Sequence, residues 1–156
     1  MSCNVISNSD FESGIHYWIP TPATSAIVES GPLAWSGTHY LDVQTTPENP
    51  SGAVYQDLYW LDDEKSHELR VQVRLPAAIP GVDSCDVYAY LGDDAEAGFI
   101  ASDQVRDGSW HQLTGTIKPD VRNTTLSLAA TCSFDGEATE AEVIWDYVVF
   151  SDCYQE

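Results

Sequence analysis

The chain is expected to fold as an all-β antiparallel sandwich, and three observations carry that expectation. Short segments alternate apolar and polar residues with a period of two, the pattern of half-buried strands. Clusters of Gly, Pro, Asn and Asp punctuate these segments at short intervals, as they do in sandwiches. No stretch of twelve residues or more carries a helical apolar stripe, and no tract is of low complexity. With 156 residues, 43% of them hydrophobic, one domain spanning 1–156 has material for a real core.

In chain order, Asn4-Val5-Ile6 is a short apolar strand, followed by the turn formers Asn8, Ser9 and Asp10. Phe11 and Trp18 are large groups to bury, on either side of Gly14. Pro20-Thr21-Pro22 breaks the chain before the strand Ala26-Ile27-Val28. Gly31-Pro32 and Ser36-Gly37 turn into Tyr40-Leu41-Asp42-Val43. Beyond the loop at Pro47 to Pro50, Val54, Gln56 and Leu58 alternate with Tyr55, Asp57 and Tyr59. Asp62 to Lys65 reads as a solvated turn, with a short helical turn as the alternative. Leu69, Val71, Val73 and Leu75 alternate with Arg70, Gln72 and Arg74, the clearest period-two strand of the chain. Pro76 to Asp83 reads as a loop, and Val87, Ala89 and Leu91 then alternate with Asp86, Tyr88 and Tyr90. An acidic turn, Gly92 to Gly98, leads to Phe99-Ile100-Ala101. Strands follow from Trp110 to Ile117, around Leu126, Leu128 and Ala130, and, after a turn at Asp135-Gly136, from Val143 to Ser151.

The formal net charge is -19, from 25 acids against 6 bases. Such a chain repels nucleic-acid phosphates and anionic membranes, so neither is an expected partner. Neutral sugars, cations and basic partners fit the charge, and solubility alone also explains it. No apolar run approaches the length that spans a bilayer. The histidines at 16, 39, 67 and 111 lack zinc-protease spacing, and no nucleophile elbow or phosphate-binding glycine loop is present.

Asn-Ser-Asp-Phe-Glu-Ser-Gly at 8–14 with Trp18 resembles the opening of jelly-roll, galactose-binding-like carbohydrate-binding modules of the glucan- and xylan-binding type, common in fungal secreted proteins. Ser9 stands where that family usually has Gly. Three further segments continue the resemblance in order: Trp35-Ser36-Gly37-Thr38-His39-Tyr40-Leu41, Gly108-Ser109-Trp110-His111-Gln112-Leu113 and Val143-Ile144-Trp145-Asp146-Tyr147-Val148. The resemblance implies a jelly roll, non-catalytic binding of a β-glycan, a monomer and a secreted protein. The start at Met1-Ser2-Cys3 shows no leader, so a cytoplasmic location is the alternative.

Cys3, Cys85, Cys132 and Cys153 allow three pairings. In a jelly roll the terminal strands lie side by side, which implies Cys3–Cys153. Cys85 shares the parity of Val87, Ala89 and Leu91, and Cys132 that of Leu126, Leu128 and Ala130, so both face the core and pair there. Four buried free thiols are the other reading.

Arg70, Gln72 and Arg74 point away from the core, as do Asp86, Tyr88 and Tyr90. If their strands are neighbours, the six tile one open face, the sugar cleft of the resembling modules. Rings stack on pyranose faces there, while Arg, Gln and Asp bond hydroxyls. Trp35, Trp60, Tyr55 and Tyr59 are placed to extend it. A cross-strand ion pair on a solvated sheet is the bland alternative. The resemblance also implies a structural Ca²⁺ held by Glu12, Asp146 and backbone carbonyls near Ser36 to Thr38, oxygen ligands that suit calcium. Tyr147 replaces the second closing Asp of the family and removes one ligand. Without a cation, Glu12 and Asp146 would bond backbone amides. A second function class is a small-molecule cyclase or isomerase on the same sandwich, with Asp86 or Tyr88 as general acid and His111 nearby. An open, ring-lined groove fits a glycan; a deep, closed pocket fits a small substrate. Asn123-Thr124-Thr125 is a glycosylation acceptor triplet if the chain is secreted.

Overall fold

A computed structural model describes residues 3–75, 82–106, 108–134 and 140–153. Ten strands follow in order: β1 (Ile19–Pro20), β2 (Ser25–Ser30), β3 (His39–Thr45), β4 (Ser51–Leu58), β5 (His67–Arg74), β6 (Val82–Leu91), β7 (Phe99–Val105), β8 (His111–Ile117), β9 (Thr124–Phe134) and β10 (Ala141–Ser151). They form two five-stranded antiparallel sheets, ordered β1-β4-β9-β6-β7 and β2-β3-β10-β5-β8. In β4, β5, β6 and β9 the inward set is the alternating set read from the sequence. Leu69, Val71 and Val73 of β5 meet Cys85, Val87 and Ala89 of β6 and Leu126, Leu128 and Ala130 of β9 in one core.

The sheet order separates two strands that the sequence reading placed side by side. β5 pairs with β10 and β8, whereas β6 pairs with β9 and β7. Arg70, Gln72 and Arg74 therefore lie on the outer face of one sheet, and Asp86, Tyr88 and Tyr90 on the outer face of the other. Both strands are amphipathic with equal parity, and period alone does not say which sheet a strand joins.

The chain ends meet as expected. Asn4 bridges Ser151, the Val5 amide donates to the Phe150 carbonyl at 2.9 Å, and Asn4 Nδ2 donates to the Val148 carbonyl at 3.0 Å. The opening segment is a single bridge and not a full strand, because its next bonds go elsewhere: Gln56, buried on β4, exchanges bonds of 2.8 and 2.9 Å with the Ser7 backbone. Disulfides join Cys3–Cys153, with Cα atoms 5.7 Å apart, and Cys85–Cys132 at 3.9 Å. The second links directly opposed residues of β6 and β9. Phe11 and Trp18 are buried, with ring centroids 5.4 Å apart, and the Trp18 indole donates to the Asn8 carbonyl at 3.1 Å. β1, missed in the sequence because Pro20 and Pro22 break it, is a two-residue edge strand, where proline is tolerated. β6 already begins at Val82, so the loop expected over Pro76 to Asp83 is shorter at its end; residues 76–81 and the turn expected at Asp135-Gly136 lie outside the described residues.

Candidate functional site

On the outer face of the β1-β4-β9-β6-β7 sheet, the register lines up residues in rows across the strands. One row runs Ile19, Tyr55, Ser127, Tyr90, Phe99. The next runs Ala53, Ala129, Tyr88, Ser102, and a third Ser51, Thr131, Asp86, Gln104. The central strand β9 thus presents only small side chains outward. Ser127 and Ala129 form a low floor, 6% and 3% exposed, beside Tyr55 of β4 and Tyr88 and Tyr90 of β6. The Tyr88 and Tyr90 rings lie 6.0 Å apart and 18° from parallel. Tyr88 borders two hollows, one of about 260 Å³ towards Pro22, Asn49 and Ala53, the other of about 650 Å³ towards Phe99, Ser102 and Gln104. Phe99 is 50% exposed and Ile19 39%, a cost in water that a flat apolar guest would relieve. From β4 to β7 the groove crosses three interstrand spacings, about 14 Å.

A second depression, about 490 Å³, lies on the opposite sheet. Arg70 and Gln72 of β5, Gln112 of β8 and the rings of Trp35 and Tyr147 line it beside the Cys3–Cys153 bridge. Gln72 donates to Gln112 Oε1 at 3.2 Å, and Glu68 holds the Arg70 Nε at 2.9 Å. Of the residues expected to share one site, Arg70, Gln72 and Trp35 meet here, and Asp86, Tyr88 and Tyr90 meet on the other face. Arg74 borders neither hollow; its guanidinium lies 5.4 Å from the Trp110 ring centroid, a cation–π contact. Trp60 stands 82% exposed on the turn after β4, its amide bonded to Asn123 Oδ1 at 3.0 Å, and also borders neither.

Glu12 and Asp146 each hold the loop between β2 and β3. Glu12 accepts from the amides of Thr38 and His39, at 3.1 and 2.6 Å, and from the Thr38 hydroxyl at 3.0 Å. Asp146, fully buried, accepts from the amides of Trp35 and Ser36 through Oδ2, both at 2.9 Å, and of Tyr147 through Oδ1 at 2.8 Å. Burial would raise the Glu12 carboxyl, but the bonds from Thr38 and His39 outweigh it and pull the pKa down to about 2. For Asp146 burial prevails over its amide bonds and, with the charge of Asp10, lifts the pKa to about 6. A calcium shell needs converging acceptor oxygens, whereas these carboxylates already face N–H and O–H donors. In this geometry both carboxylates are bonded to donors of the loop before β3 and of the adjoining strand ends.

The general acid of the alternative reading finds no enclosure. Asp86 is exposed on the open face, and His111 lies on β8 of the other sheet, its Nδ1 3.7 Å from Asp103. Sequence reasoning passed over Phe99, Ile19 and the small-residue floor. The floor was visible in part, as the small outward set Thr125, Ser127 and Ala129 of β9, but its meaning depends on which strands flank it.

The carbohydrate binding domain family matches the chain over residues 3–133. No curated protein matches it in sequence. Among solved structures, the first xylan-binding module of family 22 from Paenibacillus barcinonensis superposes with a TM-score of 0.68 at 17% identity, covering 95% of this chain and 94% of that one. A family 61 module in complex with β-1,4-galactotriose gives 0.67 at 14% identity, covering 99% and 100%. A Clostridium thermocellum xylanase 10B chain, complexed with xylohexaose, gives 0.66 at 17% identity; this chain is covered whole but spans 30% of that one, which also carries a GH10 module.

Proposed function

This chain belongs to the carbohydrate binding domain family, and we propose that it holds a β-linked polysaccharide or oligosaccharide across the outer face of the β1-β4-β9-β6-β7 sheet, as a non-catalytic module. The observation that carries this reading is the row Tyr55–Ser127–Tyr90–Phe99 beside Tyr88, rings flanking a floor too low to obstruct a chain of sugars. Pyranose faces stack on rings at little entropic cost, because a tyrosine has few rotamers to lose. Ser51, Thr131, Asp86 and Gln104 supply hydroxyl, carboxylate and amide partners on the adjoining row. A groove of about 14 Å accommodates roughly three sugar residues. The xylan, xylohexaose and galactotriose named for the similar structures support a β-linked ligand, and the two disulfides support a secreted protein.

Retention on insoluble xylan, β-glucan and chitin tests the proposal, comparing the natural chain with Tyr88→Ala/Tyr90→Ala. The natural chain is expected to be retained on at least one polymer, and the double variant to lose at least tenfold in affinity. Absence of retention on all three, or equal retention of the variant, overturns it.

A further inference from the structure

The opposite sheet carries features that the groove does not use. Trp35 and Tyr147 project from different elements, yet their ring centroids are 5.4 Å apart, and they are 46% and 41% exposed. Tyr147 sits on a bulge of β10: Asp146 opposes Gln72 and Val149 opposes Arg70, so three steps on β10 span two on β5. Its φ is +53°, a left-handed conformation that is strained for a bulky residue. Bulges re-aim side chains, and this one turns a large ring towards solvent beside Trp35. One buried carboxylate anchors both, since Asp146 bonds the amides of Trp35 and Tyr147 through its two oxygens. The bordering polar side chains are Arg70, Gln72, Gln112, Asn4, Ser9 and Ser151. In a chain of charge -19, no carboxylate among the described residues borders this hollow.

We propose that the Trp35–Tyr147 pair, with Arg70, Gln72 and Gln112, forms a second, independent binding site for a β-linked oligosaccharide on the sheet opposite the groove. One sugar ring lies against the aromatic pair. The Arg70 fork, held at Nε by Glu68, and the linked Gln72 and Gln112 amides bond its hydroxyls. Asp146 is a positioning residue, not a contact. The ligand class rests on the reading above; the existence of a second site does not.

The test is a chemical-shift titration of the ¹⁵N-labelled chain with xylohexaose, a β-glucan hexasaccharide and β-1,4-galactotriose. Two separate sets of shifts are expected with at least one sugar, one around Tyr88, Tyr90 and Ser127, the other around Trp35, Gln72, Gln112 and Tyr147. In Tyr88→Ala/Tyr90→Ala the second set is expected to persist with its dissociation constant within twofold. Trp35→Ala is expected to weaken the second set at least tenfold and leave the first unchanged. Arg70→Ala, whose side chain is half exposed, repeats that arm if Trp35→Ala disturbs the loop. Shifts confined to the groove, or a second set that vanishes with Tyr88 and Tyr90, overturn the second site alone. Shifts confined to the Trp35 face overturn the groove and support the second site. No shift with any of the three sugars overturns both.

Discussion

Asp42 carries an electrostatic load imposed by burial among other acids. It is fully buried on β3, with Glu142 and Glu29 as its charged neighbours. Burial, then repulsion from Glu142 and Glu29, pushes its pKa from 3.8 up to about 8. Between those values the folded protein holds a proton that the unfolded chain has released. Stability therefore falls as pH rises from about 4 to 8, by at most about 1.4 kcal/mol per pH unit. Asp146 acts in the same direction up to about pH 6. Glu12 acts oppositely: its depressed pKa gives stability that is present above about 4.5 and lost as pH falls towards 2. The melting temperature is thus expected to be higher at pH 5 than at pH 8. Asp42→Asn should raise it at pH 8 and flatten the slope, as followed by thermal melts across that range. A flat profile for the natural chain would sink this account.

At the scale of elements, β8 and β7, edge strands of the two sheets, pack against each other. A Cβ added to Gly115 would stand 2.3 Å from the Ile100 carbonyl and 3.0 Å from the Ala101 Cβ. Gly115→Val is expected to force β8 away from β7 and cost several kcal/mol, since a backbone atom cannot yield as a side chain can. Urea unfolding measures it, and a midpoint like that of the natural chain would count against so tight an edge. The disulfides act on longer segments. On the chain-entropy account, Cys85–Cys132, 47 residues apart, and Cys3–Cys153, 150 apart, contribute about 4–5 kcal/mol each. Cys85 and Cys132 are buried, whereas Cys153 is exposed. Mild reductant is therefore expected to open Cys3–Cys153 first, in a thiol-trapping series, and full reduction to lower the melting temperature by roughly 10 °C or more.

The whole molecule carries a formal charge of -19 but presents mainly rings, hydroxyls and amides to its guest, with Asp86 beside the groove and Arg70 on the opposite face. Binding of a neutral glycan neutralises no charge and releases no counterions, so affinity should change less than twofold between about 50 mM and 500 mM salt. A steep salt dependence in the same pull-down would point to a charged ligand. With sites on opposite outer faces, one molecule would also be able to bridge two glycan chains, because the sandwich core lies between them.

Period-two alternation let the sequence alone determine the all-β class, the inward sets of β4, β5, β6 and β9 and the burial of Cys85 and Cys132, because side-chain direction in a strand is a local property. The meeting of the chain ends was legible through the jelly-roll resemblance. Tertiary structure alone decided that β5 and β6 join different sheets, which sends Arg70 and Gln72 to Trp35 on one face and leaves Tyr88 and Tyr90 with Phe99 on the other. It also set Glu12 and Asp146 against the amides of the loop before β3. Strand partners are chosen by contacts between residues far apart in the chain, and no local spacing records which partner lies across the ladder.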